Sequence, residues 1–385
     1  MPLDRNRPAF VGVAVSAATD PQAAVAEAVR QLDLADTCFV LAFVPERLPL
    51  GPLAEALETH LTGVPVFGCT TAGQITPDGY DTTALLLIAF PRRHFRCASQ
   101  FITPLNPISI KQIAADTRRL SAQFRHTAGW ERLALVFADG LSKQEDLLAS
   151  TLESSLGDVP FFGGSAGNGL DFRETFVLHH GQFHSNAALL LLLETDLGFA
   201  GLGFDHFLPT ATQMVVTDAI PEERLVLEIN GAPAALEYAR LVGCSVDQLC
   251  PRVFAENPVL VRHNTTYHVR AIHSASATQA LSFLSAIDVG LLLTLGRGKE
   301  ILRTLETGLD VTSPEGRAPD FILGFDCVLR KLEIEQKDLG PQVSAILRDR
   351  RVLGFNTYGE QHCGVHVNQT FVGVAFFEPA RRSLH

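Results

Sequence analysis

The chain has 385 residues, 46% of them hydrophobic and 19% charged, enough for two or three domains with well-buried cores and no need of disulfide staples. A formal net charge of -11 and a pI near 5.6 argue against a general nucleic-acid or anionic-membrane binder, which needs a basic face to release counterions; local basic patches are compatible with it. Seven scattered cysteines without a C-x-x-C pair predict a reducing, cytoplasmic setting, and the longest apolar runs (Ala84 to Phe90 and Ala187 to Leu193) are far shorter than the roughly 20 residues of a spanning helix.

Arg5 and Arg7 followed by AFVGVAVSAA imitate a weak signal peptide, but this stretch runs straight into a capped helix and reads as a first strand, Phe10 to Ser16. Asp20-Pro21 supplies an N-cap and a first-turn proline for a helix to about Leu32. An apolar strand follows (Cys38 to Phe43), then a helical spacing at Leu53, Ala54, Leu57 and Leu61, and then VPVFGCTTAG, Val64 to Gly73. Turn chemistry at Pro77-Asp78-Gly79 leads into a strand from Thr83 to Phe90.

The same order returns 95 residues later. Leu148, Ala149, Leu152 and Leu156 repeat the helical positions, and VPFFGGSAGN, Val159 to Asn168, repeats the glycine turn. A helix from about Ser109 to Phe124 stands where the Asp20 helix stood, and strands Thr175 to His180 and Ala187 to Glu194, joined near Gly181, close the copy. From Gly198 to about Leu295 the texture changes to short β-like segments around one helix, Ala232 to Leu241. A helix from Lys299 to Leu309 follows, then a looser third copy, with FILGF at Phe321, a helix from Pro341 to Arg348 and VLGFNTYGE at Val352, and a final strand Thr370 to Phe377.

The predicted fold is α/β (α+β): repeated helix-strand-helix-strand-hairpin units forming mixed sheets, with a β-rich insert in the C-terminal half. An N-terminal domain spans 1–205 with repeats at about 8–100 and 105–200; a C-terminal domain spans 206–385, β-rich over 206–296, with the third unit over 297–385. Alternating strands and helices predict parallel βαβ pairing, and ligands settle in the turns beyond strand carboxyl ends. Those turns are GCTTAG, GGSAGN and TYGE, which makes Gly68, Thr70, Gly163, Gly164, Ser165, Tyr358, Glu360 and Asn368 candidate ligand contacts.

None of the glycine turns matches a dinucleotide or P-loop pattern, so the plain reading is close packing or a positive φ. Gly163, Ser165 and Gly167 fit the G-x-S-x-G elbow of a serine hydrolase, although Asn168-Gly169 opens a loop where an elbow serine should start a helix. Of thirteen histidines, eight cluster at 179, 180 and 184, at 263, 268 and 273, and at 362 and 366, with no zinc-type spacing; most read as surface or satisfied structural residues. A single histidine on an apolar wall is nevertheless all that a haem iron requires.

VFGCTTAG, FFGGSAG with the TFVLHHG hairpin, TDAIPEERLVLEINGAPAALEY and GFNTYGEQHCGVHVNQTF together resemble the paired FIST domains of bacterial sensory proteins, over nearly the whole chain. YHVRAIH, LSFLSAIDVGLLLTL and GFDCVLRKLE resemble the haem-binding, nitric-oxide-sensing branch. The resemblance implies a sensor and not an enzyme, binding haem b, taking up nitric oxide at the iron and controlling a partner histidine kinase or cyclic-di-GMP enzyme (diguanylate cyclase or phosphodiesterase). It leaves the iron ligand open between His206 and His268, with His366 behind them, and Arg270 as a propionate partner. The alternatives are a FIST sensor of another small molecule, such as an amino acid held by the turns without haem, and a hydrolase acting through Ser165. The chain carries no effector segment of its own in this reading, and a homo-oligomer is compatible with it.

Overall fold

The computed structural model describes residues 8–170, 172–263 and 266–379; Arg5, Arg7 and the side chain of His263 lie outside the described residues. The first unit runs β1 (Gly12–Ser16), α1 (Pro21–Val29), β2 (Thr37–Val44), α2 (Leu50–His60), β3 (Val66–Thr70), the hairpin β4 (Gln74–Thr76) and β5 (Gly79–Asp81), and β6 (Leu85–Pro91). The second repeats it as β7 (Phe95–Ile102), α3 (Ile110–Gln123), β8 (Glu131–Ala138), α4 (Glu145–Leu156), β9 (Phe161–Ser165), the hairpin β10 (Val177–His179) and β11 (Gln182–His184), and β12 (Ala188–Thr195).

A third such unit opens with β13 (Gly198–Asp205) and is interrupted by the insert: β14 (Phe207–Ile220), β15 (Leu225–Ile229), β16 (Ala232–Pro233), α5 (Ala234–Val242), α6 (Pro251–Glu256), β17 (Val259–His263), β18 (Thr266–Arg270), β19 (Ile272–Ala275), β20 (Leu281–Phe283) and β21 (Leu292–Gly298). It resumes with α7 (Ile301–Gly308), β22 (Phe321–Cys327), α8 (Val328–Gln336), α9 (Gly340–Asp349), β23 (Val352–Thr357), the hairpin β24 (Glu360–His362) and β25 (Val365–Val367), and β26 (Thr370–Phe377).

The units form three six-stranded sheets of one plan: β1-β6-β2-β3, β7-β12-β8-β9 and β13-β26-β22-β23, each completed by a hairpin from another unit. The first unit lends β4–β5 to β23, the second lends β10–β11 to β3, and the third lends β24–β25 to β9. The exchange is cyclic, so no unit can complete its sheet alone. Only one pair per sheet is parallel (β2 with β3, β8 with β9, β22 with β23), because the last strand of each unit returns antiparallel between the first and second. The parallel pairing expected of each strand-helix-strand unit holds for these pairs, within the mixed sheets that the repeats predicted. The insert is a nearly closed barrel-like sheet, ordered β18-β17-β21-β14-β15-β20-β19, whose two end strands are consecutive in the chain.

Strand alternation sets the layers. Phe39, Leu41 and Phe43 of β2, Leu133, Leu135 and Phe137 of β8, and Phe321, Leu323 and Phe325 of β22 all point into one shared core. Their alternates face outward under the helices of each unit, as Val40, Ala42 and Val44 do beneath α1 and α2. The repeated glycine has a steric cause. A Cβ on Gly68, Gly163 or Gly354 would lie 2.0, 2.0 and 1.8 Å from the carbonyl oxygens of Ala42, Val136 and Gly324 on the parallel neighbour, and Gly68 and Gly354 have φ of 144° and 153°.

Candidate functional site

The three glycine turns meet at one end of the ring and hydrogen-bond to one another. Ser165 N donates to Gly359 O at 2.8 Å, Ala72 N to Asn356 O at 3.0 Å, and Gly167 N to Thr70 O at 3.0 Å. Gly163, Gly164 and Ser165 lie within β9, and Gly68 and Thr70 within β3; the Thr70 hydroxyl accepts from Phe176 N at 3.0 Å. A Cβ on Gly164 would meet Thr357 Cγ2 at 2.4 Å, so this glycine too serves close packing. Backbone groups that the sequence offered to a ligand are thus engaged between turns.

Glu360 and Asn368 are wholly buried. The Glu360 carboxyl sits among Thr357 Oγ1, Thr370 Oγ1 at 2.5 Å and Thr370 N at 3.3 Å, and burial pushes its pKa up to about 8 against those donors. Asn368 accepts from Ser285 Oγ and donates to Tyr358 O at 3.4 Å. Ser165 has no histidine on its hydroxyl; the Gln361 side-chain nitrogen donates to it at 2.8 Å and to His366 Nδ1 at 3.2 Å. A serine nucleophile needs a base in that position, so the elbow resemblance does not extend to geometry.

That same bond fixes His366 with its proton on Nε2, where it has no acceptor, and burial holds its pKa below the ordinary imidazole range. The ring packs on the backbone of Gly359, where an added Cβ would lie 2.2 Å from Cε1, and this leaves no room for a macrocycle on that side. Arg270, at the end of β18, donates from Nη1 to His366 O at 2.9 Å and stands 3.8 Å from Asp146. Arg224 anchors the insert to the start of α4 through Glu145 at 2.6 Å and Asp146 at 3.1 Å.

His206 lies apart from this cluster, beneath α8. Arg330 Nη1 is 2.9 Å from its Nδ1 and Glu333 Oε2 is 2.8 Å from its Nε2. Arginine only donates, so Nδ1 accepts and Nε2–H donates to the carboxylate; burial foremost keeps the imidazole pKa below its ordinary value. Both ring nitrogens are therefore committed, and His206 does not fit an iron ligand. His268, half-buried on β18, is paired within the protein and does not line any of the larger cavities among the described residues.

What sequence reasoning passed over is a cavity of about 540 Å³ between the insert and α8, walled by Phe172, Phe254, Ala271, Leu329 and Leu332. The histidine on its wall is His273, which β19 turns outward while Ile272 turns into the insert's core. Its ring, exposed at the cavity mouth, meets Phe172 edge-on at 5.0 Å, Ser282 Oγ lies 3.4 Å from Nδ1, and partial desolvation lowers its pKa. Phe172 in turn stacks on Tyr358 at 4.2 Å, and the Tyr358 hydroxyl donates to Asn168 O at 3.0 Å. The strand alternation around His273 was the available signal; the cavity itself depends on contacts between distant segments.

The FIST N domain matches residues 38–232 and the FIST C domain residues 234–363. None of the curated proteins matches the chain. Among the described residues, no helix is long and apolar enough to cross a membrane.

Proposed function

We propose, from the premise that the chain belongs to the FIST family of small-ligand sensor domains in signalling proteins, that it senses a small ligand held in the cavity between the insert and α8. The observation that carries this reading is the apolar 540 Å³ space bounded by Phe172, Phe254, Ala271 and Leu329, with one imidazole, His273, on its wall. Phe172 gives the ligand a route to the ring of units. It touches the cavity and stacks on Tyr358, which leads into the hairpin that the third unit lends to the second sheet. A ligand that moves Phe172 changes the packing of that hairpin, and a partner protein reads the change.

Haem b is the ligand the family resemblance brings forward, and in this reading His273 would hold it, with Arg252, also on the lining, for a propionate. Bound there, it would supply an iron site for nitric oxide, and the signal would pass to a partner histidine kinase or cyclic-di-GMP enzyme. Titration of the purified chain with haem tests this. A Soret band that shifts with nitric oxide, lost in His273→Ala and kept in His206→Ala and His268→Ala, supports it. No Soret band removes haem from the reading and leaves the cavity for a metal-free ligand; a band lost only in His206→Ala or His268→Ala overturns the assignment to this cavity.

A further inference from the structure

Two cysteines among the described residues are exposed, Cys250 and Cys363, and of these two only Cys363 has an imidazole within hydrogen-bond reach of its sulfur. Cys363 stands at the tip of the β24–β25 hairpin with φ of 50°, and this is the hairpin that the third unit lends to the second sheet. Its Sγ lies 3.1 Å from Nε2 of the preceding residue, His362.

The imidazole is held by two units. Phe162 of β9 stacks on it with centroids 5.3 Å apart and planes 20° from parallel. Gly203 of β13 leaves the room for its edge, since a Cβ there would lie 3.1 Å from Cδ2. Nδ1 is buried without a hydrogen-bond partner among the described residues, so the nitrogen at work is Nε2, against the sulfur.

Both partners are neutral. Partial desolvation foremost, and the Glu153 carboxylate after it, hold the Cys363 thiol above its ordinary pKa, while partial desolvation lowers that of the His362 ring. The S–H therefore donates to Nε2, and the imidazole carries its own proton on Nδ1. A nucleophile with a base in reach, and the base fixed by a third group, is the arrangement that activates a thiol that is not a standing thiolate.

We propose that Cys363 is a redox modification site, a thiol that exchanges with small disulfides using His362 as its base. Nε2 takes the thiol proton as Sγ attacks one sulfur of the disulfide. The S–S bond breaks, a mixed disulfide forms on Cys363, and the departing thiolate takes the proton and leaves as a thiol; a small thiol reverses the step. The adduct stands where β25 meets α4, beside Glu153, whose Cγ would lie 2.9 Å from a Cβ on Gly364. A contact between the third and second units is thereby given a thiol-redox input separate from the cavity.

Reaction of the full chain with neutral 4,4′-dithiodipyridine, mapped by peptide mass spectrometry, tests the proposal with Cys250 as the internal reference. Cys363 is expected to react roughly tenfold or more faster than Cys250 at pH 7. Its rate should stay within about twofold between pH 8 and 6.5, while Cys250, reacting only through its thiolate, slows roughly tenfold per unit of falling pH. His362→Gln, which keeps a polar side chain but no base, should bring Cys363 down to the rate and slope of Cys250. A Cys363 rate no greater than that of Cys250, or one that His362→Gln leaves unchanged, overturns the proposal. Buried Cys69 and Cys327 report the fold of the variant. If they react in it, the two pH profiles in the unaltered chain decide, and parallel slopes overturn the assignment.

Discussion

Phe43 and Phe137 hold equivalent places in the first and second units and bring their ring centroids to 6.0 Å, with Phe355 of the third unit closing on them at 4.7 and 6.1 Å. Phe325, the third unit's counterpart of Phe43, completes the cluster 6.2 Å from Phe137. Rings from all three copies thus meet at the centre of the three sheets, two of them from the third. Phe137→Ala should cost about 3–5 kcal/mol, since the ring is fully buried and the surrounding strands cannot collapse into the void. Ile110→Ala, at an exposed helix position, should stay within about 0.5 kcal/mol. Urea unfolding at equilibrium measures both; similar costs would mean that the shared core does not hold the ring of units together.

Glycine substitutions separate close approach from mere conformational preference. Gly68→Ala and Gly354→Ala place a methyl group against a neighbouring strand's carbonyl, at 2.0 and 1.8 Å, which no side-chain rearrangement relieves. Both variants should fail to accumulate as folded protein. Gly181→Ala, at the tip of the β10–β11 hairpin with φ of 79° and nothing near its Cβ, should cost only about 1–2 kcal/mol. Soluble yield and thermal midpoint, compared across the three variants, give the answer.

Much of this fold was legible in the chain, because the repeat carries its own register. The offset that superposes Gly68 on Gly163 finds the same steric need in both copies, and the third copy follows from FILGF and VLGF. The hairpin exchange was not legible. Nothing local in Gln74 to Asp81 says that it pairs with Gly354 and Phe355, so the second copy's two strands near Gly181 read as partners when β10–β11 and β12 belong to different sheets. The surroundings of the candidate histidines were hidden for the same reason. His206 looks like a free imidazole in GFDHFLP, and only the fold brings up Arg330 and Glu333, more than 120 residues away, to occupy both nitrogens. His273 faces a cavity whose opposite wall, Leu329 on α8, lies far along the chain.

Arg330 and His206 make the structural role of that histidine testable. Arg330 is fully buried and pairs with Asp326 at 2.7 Å as well as with His206; Glu333 is held by His206 and by Lys337 at 2.6 Å. His206→Ala removes one partner from each of two buried charges and should destabilise the fold by about 3–5 kcal/mol. His206→Gln, able to accept from Arg330 and donate to Glu333, should recover part of the loss. Denaturant midpoints of the two variants check this, and equal stability of His206→Ala and the unaltered chain would sink it.

Glu360 gives the fold a pH dependence of defined sign. Its carboxyl titrates near 8 in the folded chain against an ordinary 4.5, so the native state binds this proton more tightly than the unfolded state does. The stabilisation is complete below about pH 4.5 and is lost as the pH rises through 8, amounting to roughly 3–6 kcal/mol at the alkaline end. The protonated acid donates one O–H, and Thr357 Oγ1 is placed to take it while Thr370 Oγ1 and N donate to the other oxygen. A glutamine reproduces that pattern: its amide nitrogen faces Thr357 and its oxygen faces Thr370. Glu360→Gln should therefore match the unaltered chain at pH 5 and exceed it at pH 9, with a flatter stability curve between. Urea unfolding at both values decides the matter, because a variant that is weaker at pH 5 and no stronger at pH 9 would mean that Glu360 is ionised in the native protein and that its three donors, not burial, govern its charge.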